Sequence, residues 1–346
     1  AKVSSLCLAV LLATSSVLAG PKDYFQIQVV DEQAGRGVPL VEVSTVNHLT
    51  FVTDNAGRVA FLEPGLMNQE VFFFLRSPGY EFKKDGFGYA GKRVVTTPGG
   101  KAVLKIKRLN LAERMYRITG EGLYRDSVLL NEKTPLAEPL GTAQIMGQDS
   151  VEVSIYQDKL YWFWGDTRRI KYPLGNFWTS GAISELPAHG GLAPDQGVDL
   201  RYFTDQDGFA KSMAQLGSRQ GVVWINGLLT IKDDAGRERL FTHYARMRRV
   251  GEQLAHGLAV WDDDRKEFVK LKELDPANTW QFPHGHPLKY REGNTEYCYF
   301  GHGFLNVRVK ADWQALQDPA AYEAWSCGAP EPQRGPEGEP RYAWTK

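Results

Sequence analysis

"DSVEVSIYQDKLYWFWGD" (149–166) reads as two β-strands joined by a tight turn, with an acidic residue at each outer end, Asp149 and Asp166. All four residues of "YWFW" (161–164) are aromatic, so both faces of the second strand are apolar and both must be covered. With Asp158 and Lys159 as the two-residue turn, Asp166 falls opposite Val151, which shares a face with Asp149 because strand side chains alternate. The two aspartates are then diagonal neighbours, with Cβ atoms about 7 Å apart. At that distance the two carboxyls can interact.

Two further hairpins follow, "VVWINGLLTIKDDAGRERLFTHYARM" (222–247) and "HGHPLKYREGNTEYCYFG" (284–301), each trailed by more strand-like runs. Four-stranded units recurring at offsets of 73 and 62 residues are the pattern of β-propeller blades. Three blades are visible, whereas propellers close with four or more. The chain stops on "GEPRYAWTK", which reads as the start of a strand, and the remaining blades are expected beyond it. Inner strands of a propeller start at one mouth, so Asp149, Asn226 and His286 are expected to converge in a polar pocket.

Residues 24–110 have a different character. "YFQIQVVD", "VPLVEVST", "LTFVTD", "RVAFLEP" and "EVFFFLRS" are strand-length runs divided by turn residues, and "TDNAGRVAF" sets Asp54, Asn55 and Gly57 at a reversal. The fold class is therefore all-β: a small β-sandwich over 24–110, then a partial β-propeller over 116–346. A repeat of "DSV" at 126 and 149 raises the idea that one strand of each copy meets the axis.

Lys plus Arg and Asp plus Glu both number 41, which gives no pull toward nucleic acid or an anionic membrane. Nine Trp and a 12% aromatic content suit stacking on the apolar faces of sugars as well as core packing. The first nineteen residues, with a basic start and an apolar run from Leu6 to Ala13, read as a secretory signal peptide cut after Ala19, too short for a membrane span. Export leaves Cys298 and Cys327 two readings, a disulfide or a buried thiol in "TEYCYFG".

The candidate site residues are Asp149 and Asp166 as catalytic carboxyls and Asn226, His284, His286, Trp164 and Trp224 as substrate-binding groups. Against these stand plain structural readings, with Asp166 as an acceptor of backbone N–H groups at a strand end. His284 and His286, two apart in a strand, point the same way and could hold a divalent metal or line the channel, but a closed metal site needs three or four ligands. His302 is on the wrong face if "REGN" (291–294) is the loop, unless a bulge intervenes. "TDQDGFAK" has the beginning of a calcium loop without the later ligands and reads as a turn. No metal or cofactor is assigned. There is no nucleophile elbow, phosphate loop or nucleotide fingerprint.

"VVDEQAGRGVPLVEVSTVNHLTFVTDNAGRVAF" resembles the carboxypeptidase regulatory-like domain, a transthyretin-like sandwich, and that resemblance implies architecture rather than chemistry. The strand opening on Asp149 and the "WGDT" ending resemble the five-bladed propellers of family 43 glycoside hydrolases. The run with "YRITGEGLYRDSVLL", "LYWFWGDT" and "SGAISELPAHGGL" also resembles exported bacterial proteins of the planctomycete type. The glycosidase resemblance implies Asp149 as general base, with an Asp and a Glu opening the next inner strands. Here those strands carry Asn226, His284 and His286 instead. Two functions follow as expectations: an exported glycoside hydrolase acting on an extracellular glycan, or a non-catalytic surface protein binding a glycan or protein at the same mouth.

Overall fold

The computed structural model describes residues 19–346 except Thr142, Ala329 and Pro330. The expected signal peptide falls, but for Ala19, outside the described residues. Among these no helix is long and apolar enough to cross a membrane. The chain is mostly strand, in agreement with the all-β reading, and forms two compact units.

The first unit runs up to Tyr116 and takes in Tyr124–Thr134. One of its sheets orders the strands Arg58–Phe61, Phe25–Asp31, Lys101–Arg108 and Tyr80–Glu81; the other orders Thr50–Val52, Glu42–Thr45, Glu70–Arg76 and Gly91–Val95. Both feed one cluster of buried side chains, with Ile27, Val29, Val59, Phe61 and Leu104 from the first and Val43, Val71, Phe73 and Leu75 from the second. Alternation explains it: Val71, Phe73 and Leu75 are buried while Glu70 and Arg76 are exposed. The reversal after Val52 is as read. Asp54 Oδ1 accepts the Ala56 and Arg58 N–H groups, and Gly57 adopts φ +71° where a Cβ would stand 2.3 Å from the Val29 carbonyl oxygen.

The sequence reading places 124–134 in the second domain, whereas the structure places it in the first unit. Its short helix, Arg125–Leu129, is held to the first unit by carboxyls: Asp54 Oδ2 accepts Ser127 N–H at 2.8 Å and Ser127 Oγ–H at 2.7 Å, and Asp126 Oδ1 accepts Ala60 N–H at 2.9 Å. The "DSV" at 126 is thus helical and unrelated to the "DSV" at 149.

The second unit, Arg117–Leu123 with Pro135–Lys346, contains three antiparallel sheets in chain order. The first orders Val151–Tyr156, Lys159–Trp164, Ser180–Glu185 and Arg201–Tyr202; the second orders Val222–Lys232, Glu238–Arg249, Glu252–Asp262 and Glu267–Glu273; the third begins Leu288–Glu292, Thr295–Phe300, Val307–Lys310 and ends in two short strands. Tyr156, Tyr161 and Phe163 of the first pack with Val223, Leu228, Leu240, Tyr244 and Trp261 of the second. Leu229, Ile231, Phe241 and Leu258 on the second sheet's other face pack with Cys298, Phe300, Val307 and Val309 of the third. The second sheet is therefore covered on both faces. Leading strands are neighbours: Ser154 and Thr230 hydroxyls lie 3.0 Å apart, and Lys289 Nζ donates to the Thr230 carbonyl. A small sheet of Tyr172–Asn176, Thr167–Arg169 and Ile145–Gln148 adjoins the first.

Two hairpins differ from the sequence reading by their turns. The first turns on Gln157 and Asp158, at φ 50° and 60°, so Tyr156 rather than Gln157 is the last paired residue and meets Lys159. The third turns on Gly293 and Asn294, with Glu292 paired to Thr295. Cys298 and Cys327 are both free, which removes the disulfide reading; Cys298 is the buried thiol.

Candidate functional site

The shifted turn brings Asp149 and Asp166 directly opposite each other: Asp149 N–H donates to the Asp166 carbonyl at 3.0 Å, and Gly165 N–H to the Asp149 carbonyl at 2.8 Å. They stand where the long hairpin passes from the first sheet into the small one, between the pairs Val151/Trp164 and Gln148/Thr167. Ser150, at φ 50°, makes the kink. Around it opens a cleft of ≈ 370 Å³ lined by Gly147, Gln148, Asp149, Asp166, Thr167, Arg168, Pro173 and Phe177. Its floor is braced by hydrogen bonds from Gln148 Nε2 to Ser180 Oγ at 2.7 Å and from Tyr202 Oη to Gln148 Oε1 at 3.1 Å.

Asp166 reaches the second sheet, where Trp224 Nε1–H donates to its Oδ1 at 3.2 Å. Two residues on, the strand bulges between Asn226 and Leu229. Gly227 there adopts φ +66°, and a Cβ on it would fall 2.5 Å from the Pro283 carbonyl carbon. That close approach lets Gly227 N–H donate to the Gly285 carbonyl at 3.1 Å while Gly285 N–H donates to Asn226 Oδ1 at 2.6 Å.

The same bulge aims Leu228 N–H at Glu152 Oε2, 3.4 Å away, and His286 Nδ1 lies 3.9 Å from that oxygen. Glu152 is 9% exposed, and burial pushes its carboxyl up to about 8, opposed only by the Leu228 hydrogen bond. A carboxyl from the first sheet thus meets a backbone amide from the second and an imidazole from the segment leading into the third. Burial therefore favours the protonated form of Glu152 over the carboxylate.

Behind the bulge lies a row of imidazoles. His243 Nε2 and His256 Nδ1 share a hydrogen bond at 3.0 Å, and the other His256 nitrogen meets the Asp275 carbonyl at 2.8 Å. Phe282 stacks on His243 at 4.2 Å between ring centres. Burial, with His256 and His284 nearby, holds the His243 imidazole well below its ordinary range; burial and His302 lower His284.

Of the sequence candidates, Asp149 and Asp166 share the cleft, Trp224 holds Asp166, and Asn226 holds Gly285. His284 and His286 do not form a strand pair, because Gly285 at φ +65° breaks the alternation. His284 bonds the Phe282 carbonyl and neighbours His302, ring centres 5.5 Å apart, whereas His286 faces Glu152. His302 is therefore beside His284 after all, yet among the described residues no group of three or more His, Cys, Asp or Glu could hold a metal ion. Trp164 is 5% exposed and packs on Trp162 and Tyr202. "TDQDGFAK" forms the turn expected, with Asp205 Oδ1 accepting the Asp207 and Phe209 amides.

Sequence reading missed Glu152, His243 and His256. In "VEVSIY" the alternation puts Val151, Val153 and Ile155 on one face, and a core reading selects that face; the structure buries Glu152 and Tyr156 instead. The signal available was that the opposite face carries Tyr156 and, through pairing, Phe163. No family model and no curated protein matches this chain.

Proposed function

We propose that the first unit is a β-sandwich of the carboxypeptidase regulatory-like kind, that the second is a three-blade portion of a β-propeller, and that the protein is an exported glycoside hydrolase. Its substrate is an extracellular glycan bound at the mouth where the leading strands begin. One observation carries this reading: Glu152, the Asn226–Leu228 bulge and His286 approach one point from three separate sheets or their approaches, which a merely structural carboxyl does not require.

The chemistry follows from the groups present. Glycoside cleavage needs one carboxylic acid to protonate the leaving oxygen and one carboxyl group acting as base or nucleophile on the other side of the bond. Glu152, whose protonated form burial favours, fits the first role. Asp149, which lines the cleft and lies three residues before Glu152 in the chain, is assigned the second, with Asp166 held by the Trp224 indole as its neighbour. Arg168 at the cleft edge supplies donors for sugar hydroxyls.

A second reading, glycan binding without cleavage, is favoured by the placement of Asp149 and Asp166 as neighbours on one hairpin instead of on separate sheets facing across a channel. Incubation with a panel of polysaccharides and aryl glycosides separates the readings. Hydrolysis abolished by Glu152→Gln and by Asp149→Asn supports the enzyme; binding without hydrolysis supports the second reading; neither binding nor hydrolysis rejects the glycan partner altogether.

A further inference from the structure

The imidazoles behind the bulge are covered by one connector, residues 280–286, which leads from the second sheet to the third. His243 and His256 are buried on adjacent strands of the second sheet, and His243 shares a face with Phe241, which packs toward the third. The Phe282 ring of the connector lies over both, 4.2 Å from His243 and 5.2 Å from His256 between ring centres. His284 follows, with His302 beside it.

The groups around this row hold no counter-charge. The charge-bearing neighbours of His243 are His256 and His284, and that of His284 is His302. Asn226, from the leading strand, is neutral. Asp275 meets His256 through its main-chain carbonyl and turns its carboxylate to the Ala277 amide. Arg246, Lys270 and Glu273 surround Tyr244, on the other face of the sheet. Glu152 faces His286 at the connector's far end.

The His243–His256 bond limits how many protons the pair can hold. A carbonyl only accepts, so His256 donates Nε2–H to Asp275, and its Nδ1 accepts from His243 Nε2–H. A first added proton puts a charge into a buried site with no carboxylate to meet it. A second puts hydrogen on both facing nitrogens, and the 3.0 Å bond cannot persist. The strands beneath are held by their ladders, whereas the connector is held to the bulge through the two Gly285 hydrogen bonds and to the row through the Phe282 stack. Relief comes most readily by the connector lifting.

We propose that residues 280–286 are an acid-released clasp: proton uptake by the imidazole row parts Phe282 from His243, frees Gly285 from the bulge and withdraws His286 from Glu152, while the sheets stay folded. The inference concerns this segment alone and stands whether or not the mouth binds glycan.

Amide hydrogen exchange on the full chain, corrected for the intrinsic pH dependence of exchange, tests it. Between pH 7.5 and about pH 5, protection of the Gly227 and Gly285 amides should fall roughly tenfold or more, while the Leu240 and Ala259 amides of the second sheet keep theirs. His243→Leu should hold the clasp shut at the lower pH. His302→Gln, at an exposed ring, should reduce the fall without touching the buried pair. Unchanged protection at the lower pH, an equal loss at Leu240 and Ala259, or a full fall in both variants would overturn the proposal.

Discussion

Asp54 in the first unit and Glu152 in the second are both buried carboxyls, 3% and 9% exposed, and they are used in opposite ways. Asp54 accepts from Ala56 N–H and Arg58 N–H on one oxygen and from Ser127 N–H and Ser127 Oγ–H on the other. Its acceptor capacity is filled by a turn and by the helix that the turn holds. Glu152 has one amide at 3.4 Å and an imidazole at 3.9 Å, and burial pushes its carboxyl up to about 8. A carboxyl saturated by neighbouring backbone belongs to the fold. A carboxyl left nearly unsatisfied between two sheets and the segment leading into a third is held at a cost in stability.

The contrast can be broken first at Asp54. Asp54→Ala strands the Ser127 donors and opens the reversal, and should destabilise the first unit by about 3 kcal/mol or more. Hydrogen exchange should show the Ser127, Ala56 and Arg58 amides exchanging far faster, while those of the 222–232 strand are unchanged. If Asp54→Ala leaves these amides protected, the helix is held by something else.

Glu152→Gln should act in the other direction. A carboxyl whose folded value is raised binds its proton more tightly folded than unfolded, so stability is intact below the unfolded value near 4.5 and is lost as pH rises toward 8. The amide removes that loss, so urea denaturation at pH 8.5 should find the variant more stable by about 1–3 kcal/mol, and at pH 4 nearly equal to wild type. Equal stability at both pH values would mean that Glu152 is not desolvated.

On the acid side His243, together with His284, sets the slope. Both folded values are depressed, so the unfolded chain takes up protons below about 6.5 that the folded chain refuses, and stability falls with pH in that range. Denaturation midpoints from pH 7 to 5 should drop, and His243→Gln should flatten the drop. A slope unaltered by His243→Gln would assign the effect elsewhere.

The smallest effect is expected at Trp224. Trp224→Phe removes one indole hydrogen bond to Asp166 and should cost about 1 kcal/mol, with any glycan binding at the cleft weakened more than folding. A variant that unfolds would make Trp224 a core residue instead of a positioning one.

How much of this was legible beforehand varies by scale. The all-β class, the strands around Ile27, Val43, Val59 and Phe73, and the three hairpins followed from alternation and turn residues. The Asp54–Gly57 reversal followed too, because its chemistry is local. Turn positions did not: "QDK" allows a turn at either step, and positive φ at Gln157 is not signalled by residue type. The proximity of Asp149 to Asp166 was readable from the hairpin, but Glu152 was hidden because the apolar face of its strand is the open one. The Asp126 and Ser127 contacts that assign 124–134 to the first unit span more than sixty residues of sequence and leave no local trace.

Glu152 stands as a buried acid between two sheets and the segment leading into a third, its carboxyl pushed up by desolvation. Carbon-13 NMR of glutamate-labelled protein, with the Glu152 carboxyl signal assigned through Glu152→Gln, reads this directly across a pH titration. A midpoint near 8 is predicted. A midpoint near 4.5 would show a solvated carboxyl and contradict both the geometry and the role drawn from it.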